Sequence, residues 1–521
     1  MKKDRLFSLF SVFVISVLFL SLFSVSALFG RSADELRLAI GIDPDTLDPI
    51  KITTTLPGNI TDFVCERLVR VNKEGEVVPL LAEEWSKSAD GLEWTFKLRE
   101  GVTFHDGTPL DAEVVKFTFD RLMNPEIAVP QRSDLGPLEK AEVVSKYEIK
   151  LVLGKPYGPF LRSLATTLAA IVSPKAVEES DQKFANHPVG TGPYEFKNWA
   201  KGKAIVLEKN DDYWGEGPNF QSLKFNIVTE VATREMMLRS GDVDIAYMPP
   251  APDIPSLRRD PDIEVKSIPS TRMMYVFLHT KEKPTSNKKV RQAINYAIDK
   301  EAIVEKILMD QGEPVTAPIP SSFFGYHRIG SYEYDPEKAE ELLAEAGYAD
   351  AEIKLKFLHP SGRYMLDKKV AQAIQSYLND VGIKVELMTM DWPSVIKHIM
   401  IPLEEDPPQD MEFLGWGPAV LDAHFTLYSL FHSSQQPPSI ANTGFYGNEK
   451  VDQLLDEALS ETDTAKRKEL YKQACEIIWE EAPIIFLYTQ NFVLAYDSDL
   501  EGITMFPTEK FDVVDAHFVE G

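Results

Sequence analysis

Residues 94–122, WTFKLREGVTFHDGTPLDAEVVKFTFDRL, carry the densest run of structural signals in the chain. Trp94, Phe96 and Leu98 alternate with polar residues, which places them on one face of a strand. Gly101 turns the chain, and Val102 with Phe104 begins a return strand. His105-Asp106-Gly107 makes a second turn, after which Asp111 is placed to cap a helix carrying Val115, Phe119 and Leu122 at i, i+4 and i+7. The local reading is strand, turn, strand, turn, helix.

Further motifs extend in both directions. Residues 35–42 read as a first strand leading into Asp43-Pro44-Asp45-Thr46-Leu47-Asp48-Pro49, residues 61–69 as an amphipathic helix, and residues 140–154 as a hairpin. Residues 160–171 are apolar at helical spacing. Gly190-Thr191-Gly192-Pro193-Tyr194 suits a tight crossing where side chains would clash, and no Gly-Lys-Ser/Thr follows to make it a phosphate loop. In the second half, Asp335, Pro336 and Gly347 bracket a helix as cap, first position and terminator. Strand 353–358, helix 369–381 and strand 384–390 form a βαβ unit, which predicts a parallel sheet. Helices at 450–461 and 466–480 precede the apolar strand 483–488.

Several of these segments resemble, in order, the extracytoplasmic solute-binding proteins that deliver oligopeptides, dipeptides, nickel or oligosaccharides to ABC importers, the family 5 solute-binding proteins. Residues 46–49 match its T-L-D-P loop, and residues 80–85 its P-x-L-A-x-x-W element. Residues 104–115 match its F-x-DG-x-P-hydrophobic-x-A-x-D-V block. Residues 238–246 resemble its L-x-x-G-x-x-D element, and residues 290–300, VRQAINYAIDK, follow its V-R-Q-A-I-x-Y-A-I-D-R/K signature almost residue for residue. The resemblance implies an α/β, two-lobed periplasmic-binding-protein-like fold (type II) with an extra subdomain inserted in the first lobe. Lobe I is expected at 34–273 plus 488–521, with the insertion at about 81–190, and lobe II at 274–487.

The same resemblance implies a binder that captures an oligopeptide or an oligosaccharide between the lobes and delivers it to a membrane permease and its ATPase, as a monomer. In the family a Gly-Trp segment forms one wall of the cleft. Here that segment begins at Gly415 and Trp416, so Trp416 and Gly417 are candidate contacts, with Asp422 retained from a later Asp-Pro pair. Crossing strands and cleft loops add Tyr275, Phe277, Tyr247, Asp43, Asn442 and Tyr446, and Arg363 falls where some dipeptide-binding relatives hold a ligand carboxylate. Relatives that bind a peptide α-amine carry Asp three residues after the Trp, because a buried ammonium needs a compensating carboxylate. This chain has Ala419 there, which favours a neutral, hydroxyl-rich ligand packed on aromatic faces.

The N-terminus argues for export by independent physics. Lys2, Lys3 and Arg5 precede an apolar run from residue 6 to about 23, and Val25-Ser26-Ala27 offers a small-residue cleavage site, so residues 1–27 read as a signal peptide of a periplasmic or otherwise extracytoplasmic protein. The formal charge of −26 becomes −28 without that segment, which disfavours nucleic acid and anionic lipid as partners. Cys65 and Cys475 are both placed on helices, and their pairing stays open. No Cys-x-x-Cys or His-Glu-x-x-His spacing exists, so neither a metal site nor a cofactor is expected. Competing functions are an extracytoplasmic hydrolase, for which acidic pairs such as Asp242/Asp244 or Glu404/Glu405 lack any recognisable context, and a ligand sensor or chaperone not coupled to transport.

Overall fold

Tyr275 and Phe277 lie toward one end of a much longer element. In the computed structural model, which describes residues 34–519 except 283, 350–352 and 440, the strand Ile263–Leu278 runs antiparallel to Ile484–Asp497, from Ile263 opposite Asp497 to Phe277 opposite Ile484. The signal-peptide reading of residues 1–27 lies outside the described residues.

These two strands lie at the centre of an eleven-stranded mixed sheet. On one side follow Ile245–Tyr247, Glu35–Ile40, Ser222–Ile227, Ala204–Lys209 and Tyr194–Ala200. On the other follow Met411–Trp416, Ile353–Pro360 and Ile383–Met390, the last two parallel as the βαβ reading predicts. Gly312–Pro314 pairs separately with Ile484–Asp497. Because successive side chains of a strand point to opposite faces, one strand serves two cores. Tyr275 and Phe277 pack with Leu427, Tyr471 and Phe486 on one face, whereas Met274 and Val276 pack with Ile294, Phe357 and Leu487 on the other. Farther along, Phe492 and Leu494 enter a third core with Leu38, Phe63 and Phe225.

A separate four-stranded antiparallel sheet carries the inserted subdomain, with Glu93–Leu98 between Ala82–Lys87 and Glu148–Leu153, and Leu138–Ser145 outermost. Its core joins Trp94, Phe96, Ile149 and Leu151 to Phe119 and Leu122 of helix Ala112–Met123. Asp111 caps that helix as expected, accepting from the amides of Glu113 and Val114 at 3.0 and 3.1 Å. The return strand expected at Val102 and Phe104 does not form. Phe104 instead closes a tight turn to Thr108, and a single bridge joins Thr103 to Pro109.

Two helix expectations also change. The first helix is Thr55–Asp62; residues 63 and 64 turn out of it, and residues 65–68 do not continue it, since the carbonyls of 63, 64 and 66–68 are taken by Tyr194, Gly192, Ile171, Leu81 and Ala82. Within 160–171 only Phe160–Ser163 is α-helical, followed by a 3-10 turn at Thr167–Ala169. Cys65 therefore lies outside any helix, whereas Cys475 lies within Thr464–Glu481. Both are buried free thiols in different cores.

The glycine crossing is as tight as the sequence suggests. A Cβ at Gly190 would stand 2.1 Å from the Val64 carbonyl oxygen, and one at Gly192 would stand 2.4 Å from that of Phe63. Backbone cannot yield as a flexible side chain can, so Gly190→Ala is expected to cost about 1–3 kcal/mol or more by overpacking. Urea unfolding of the variant checks this, and an unchanged midpoint would contradict the crossing.

Candidate ligand-binding site

Between the two wings of the large sheet and the inserted subdomain lies a cavity of about 850 Å³. One wall is Trp416, Gly417, Pro418, Ala419 and Leu421, at the end of strand Met411–Trp416. Trp416 pairs in the sheet with Met273, and its indole Nε1 donates to the Phe425 carbonyl at 2.8 Å. That bond fixes the ring and leaves its polar edge already satisfied, so the indole serves the cavity as a surface.

The opposite wall is charged. Asp62, the last residue of helix Thr55–Asp62, stands 2.5 Å from Arg67 and 2.7 Å from Lys510 Nζ, and it accepts from the Thr167 hydroxyl at 2.7 Å. Burial pushes the Asp62 carboxyl upward, but Arg67 and Lys510 more than offset this and hold it below the usual range. Burial also lowers Lys510, against the pull of Asp62. Lys510 reaches this position because Asn59 imitates a strand edge, its amide donating to the Phe511 carbonyl at 2.8 Å and accepting from the Phe511 amide at 3.0 Å.

Glu66 is differently employed, accepting from Thr191, Tyr213 and Trp214 at 2.8 Å each, and burial raises it despite those three donors. Asp134 also lines the cavity, and burial, opposed by Ser133, pushes its carboxyl up to about 6. Arg70, Arg99 and Arg162 complete the set of lining cations with Arg67 and Lys510.

Of the ten residues singled out from sequence, Trp416 and Gly417 line this cavity, and the other eight are held elsewhere. Asp422 is fully buried and bound at 3.0 and 2.8 Å by the Arg467 guanidinium, with Tyr471 donating at 3.4 Å. Tyr275 and Phe277 are core residues with rings 5.1 Å apart. Tyr247 packs on Phe492 and Phe511 and donates to the Glu509 carbonyl. Asp43 accepts from Trp199 Nε1 and the Gly202 amide. Arg363 stacks on Trp392 and Tyr364. Buried Asn442 donates to the His432 and Tyr446 carbonyls, and the Tyr446 hydroxyl donates to Glu481. Asp62, Arg67, Arg70, Arg162 and Lys510, which line the cavity, are not among those ten. Asp62, Glu66, Arg67 and Arg70, four charges within an otherwise apolar stretch, were the available signal.

The model of "Bacterial extracellular solute-binding proteins, family 5 Middle" matches residues 76–438. The chain belongs to this family. It is a solute-binding component of an ABC importer, as the ordered motifs imply. A glutathione-binding protein, GsiB, of Escherichia coli O1:K1 / APEC is 33% identical over 486 residues, covering 93% of this chain and 94% of its own. Among solved structures, HbpA2 from Haemophilus parasuis superposes with a TM-score of 0.84 at 28% identity, covering 93% of this chain and all of that one. The ABC transporter-associated periplasmic binding protein DppA from Helicobacter pylori, solved with the peptide STSA, gives 0.75 at 28% identity over 93% and 98%. These relatives bear out the two-lobed type II fold. Among the described residues, no helix is long and apolar enough to cross a membrane.

Asp422→Asn leaves Arg467 buried without its counter-charge and is expected to cost about 3–5 kcal/mol in denaturant unfolding; a loss below 1 kcal/mol would mean the pair is not structural. Asp134 has a folded pKa raised toward 6, so the folded state binds its proton more tightly than the unfolded one. Its stabilising contribution is complete below about pH 4 and is lost as pH rises through 6. Asp134→Asn should therefore melt higher than the parent at pH 7.5, with the gap closing by pH 4; a gap independent of pH would exclude this assignment.

Proposed function

We propose that the cargo is a short peptide or peptide-like amide with free carboxylates, of the size class of a tripeptide, captured outside the cytoplasm and handed to a membrane permease. The observation that carries this reading is the charged cavity itself. Its volume lies in the range of small-molecule sites, and one wall presents Arg67, Arg70, Arg99, Arg162 and Lys510. Arg67 and Lys510 share one acid, Asp62, and among the described residues Arg162 has none within ion-pair distance, so desolvation against a neutral ligand would leave charge uncompensated where a ligand carboxylate compensates it. Glutathione, which the relatives GsiB are named for binding, has this chemistry.

The oligosaccharide alternative keeps one favouring observation: Ala419 is part of the cavity wall beside Trp416, so no carboxylate stands where peptide-binding relatives hold an amine. In the peptide reading that amine is neutralised elsewhere or stays hydrated. The reading includes a mature chain beginning after Ala27, lobe I at 34–273 plus 488–521 with the insertion at about 81–190, lobe II at 274–487, and a monomer in the extracytoplasmic space.

Titration calorimetry of the mature protein should give saturable heat with glutathione or tri-alanine and none with maltotriose. Trp416→Ala should weaken the peptide binding about tenfold or more, since it removes a fixed aromatic wall. Heat with maltotriose alone would reverse the reading.

A further inference from the structure

Among the cavity cations, Arg162 differs in how its charge is met. Arg67 and Lys510 share Asp62. Arg99 donates to the Leu80 carbonyl, stacks on Trp214 at 4.7 Å and stands 3.9 Å from Glu83. Arg70 is exposed, where water screens it. Arg162 is half-buried, and its partners are two carbonyl oxygens: Nη1 donates to Gly75 at 2.9 Å and to Leu421 at 3.2 Å. Among the described residues no carboxylate lies within ion-pair distance of it. Asp422, the acid whose field it feels, is already gripped by Arg467 through both oxygens.

Carbonyls satisfy N–H groups without cancelling charge. A guanidinium has five N–H donors, and the two on Nη1 are committed here, which leaves the Nε–H and Nη2 edge, the side-on fork that fits a carboxylate. Phe324 stacks on the guanidinium at 5.0 Å and, with the two carbonyls, fixes its plane. This ordered cation stands at a junction. It lines both the main cavity and a second cavity of about 350 Å³, bounded by Gly75, Phe324 and Lys468, and Leu421 is likewise shared by the two.

We propose that Arg162 selects for an anionic group on the cargo, holding a carboxylate where the main cleft opens toward the smaller cavity. This rests on the reading of the cleft as a site for a short peptide. The arrangement also links binding to the way the two sides of the cleft meet. Gly75 belongs to the turn joining strands Val69–Val71 and Val77–Pro79 on the first-lobe side, and Leu421 belongs to the Trp416 wall on the other, so one side chain touches cargo and both walls. A ligand that engages it favours the arrangement in which those contacts coexist.

The test compares tri-alanine, tri-alanine with an amidated C-terminus, and glutathione by calorimetry against the parent, Arg162→Lys and Arg162→Gln, with circular dichroism and melting to confirm folding. The amide should bind the parent at least about tenfold more weakly than the free acid, the order expected for a lost charge-assisted pair. That ratio should fall toward one in Arg162→Gln. Arg162→Lys, which keeps charge and loses the fork, should fall between, and it supplies the ratio where Arg162→Gln binds too weakly to measure. Equal binding of acid and amide by the parent, or discrimination undiminished in both variants, would overturn the assignment while leaving the peptide reading standing. A parent protein that binds none of the three probes would overturn the peptide reading and this assignment with it, and no variant is needed to see that.

Discussion

The antiparallel pairing of Ile263–Leu278 with Ile484–Asp497 is the constraint on which the rest depends. Among the described residues it is the one ladder that traverses both wings of the large sheet, and Ile484–Tyr496 is buried throughout. Its register slips between Pro269 and Met273, and here side chains and loops stand in for the ladder. The Ser270 hydroxyl donates to the Gln490 carbonyl at 2.7 Å and accepts from the Arg272 amide at 3.0 Å, while the Thr271 amide turns to Pro507. Met273 lies at the edge of this irregularity and pairs with Trp416, and Gly417 sits against Arg272. Arg272 in turn holds Glu509 through two bonds of 2.9 Å, which anchors the segment that presents Lys510 to the cavity. The aromatic wall, the break in the ladder and part of the charged wall are thus fixed by one neighbourhood.

That neighbourhood explains why this fold binds rather than merely encloses. Each wall is held by the protein's own contacts: Trp416 by Phe425, Asp62 by Arg67 and Lys510, Glu66 by three donors. Preorganised groups lose little freedom on binding, so more of the interaction energy appears as affinity. The buried Asp422–Arg467 pair serves the same end at a distance. It fastens the loop after the Trp416 wall to helix Thr464–Glu481, so the wall is braced from behind by a charge pair that never meets the cleft.

What could be read from sequence follows the range of the interactions involved. Caps, turns and the βαβ unit depend on neighbours a few residues apart, and Asp111, Asp335 and the parallel pair at 353–360 and 383–390 appear as the residues dictate. The helix read at 61–69 overlaps the true one only at Thr61 and Asp62, because the apolar pattern beyond is equally that of a helix face and of a segment sealed on both sides, and hydrogen bonds to residues 81, 171 and 192 decide between them. The site divides the same way. Trp416 and Gly417 were legible because a family motif marks them, whereas Asp62 and Lys510 meet across 448 positions. Aromatic residues such as Tyr275 and Tyr446 were ambiguous for a physical reason, since the same ring suits a core or a ligand, and here the core holds them.

Charge presents a final apparent conflict: a chain of net charge −26 is proposed to collect carboxylates. The conflict dissolves when charge is counted by location. Six acids line the cavity beside its five cations, so what matters is which charges already have partners. Asp62 is paired with Arg67 and Lys510, and Glu66 is held by three neutral donors. Among the described residues Arg162 donates only to the carbonyl oxygens of Gly75 and Leu421, so its charge stays available to whatever enters. Surface acids lie in water, where salt screens them within about 8–10 Å. An anion approaching the protein is weakly repelled at long range and attracted only once inside, where the field is concentrated. On the proposed reading the acidic exterior disfavours polyanions too large to enter while Arg162 holds a small acid, so the two act together as a filter on size and charge.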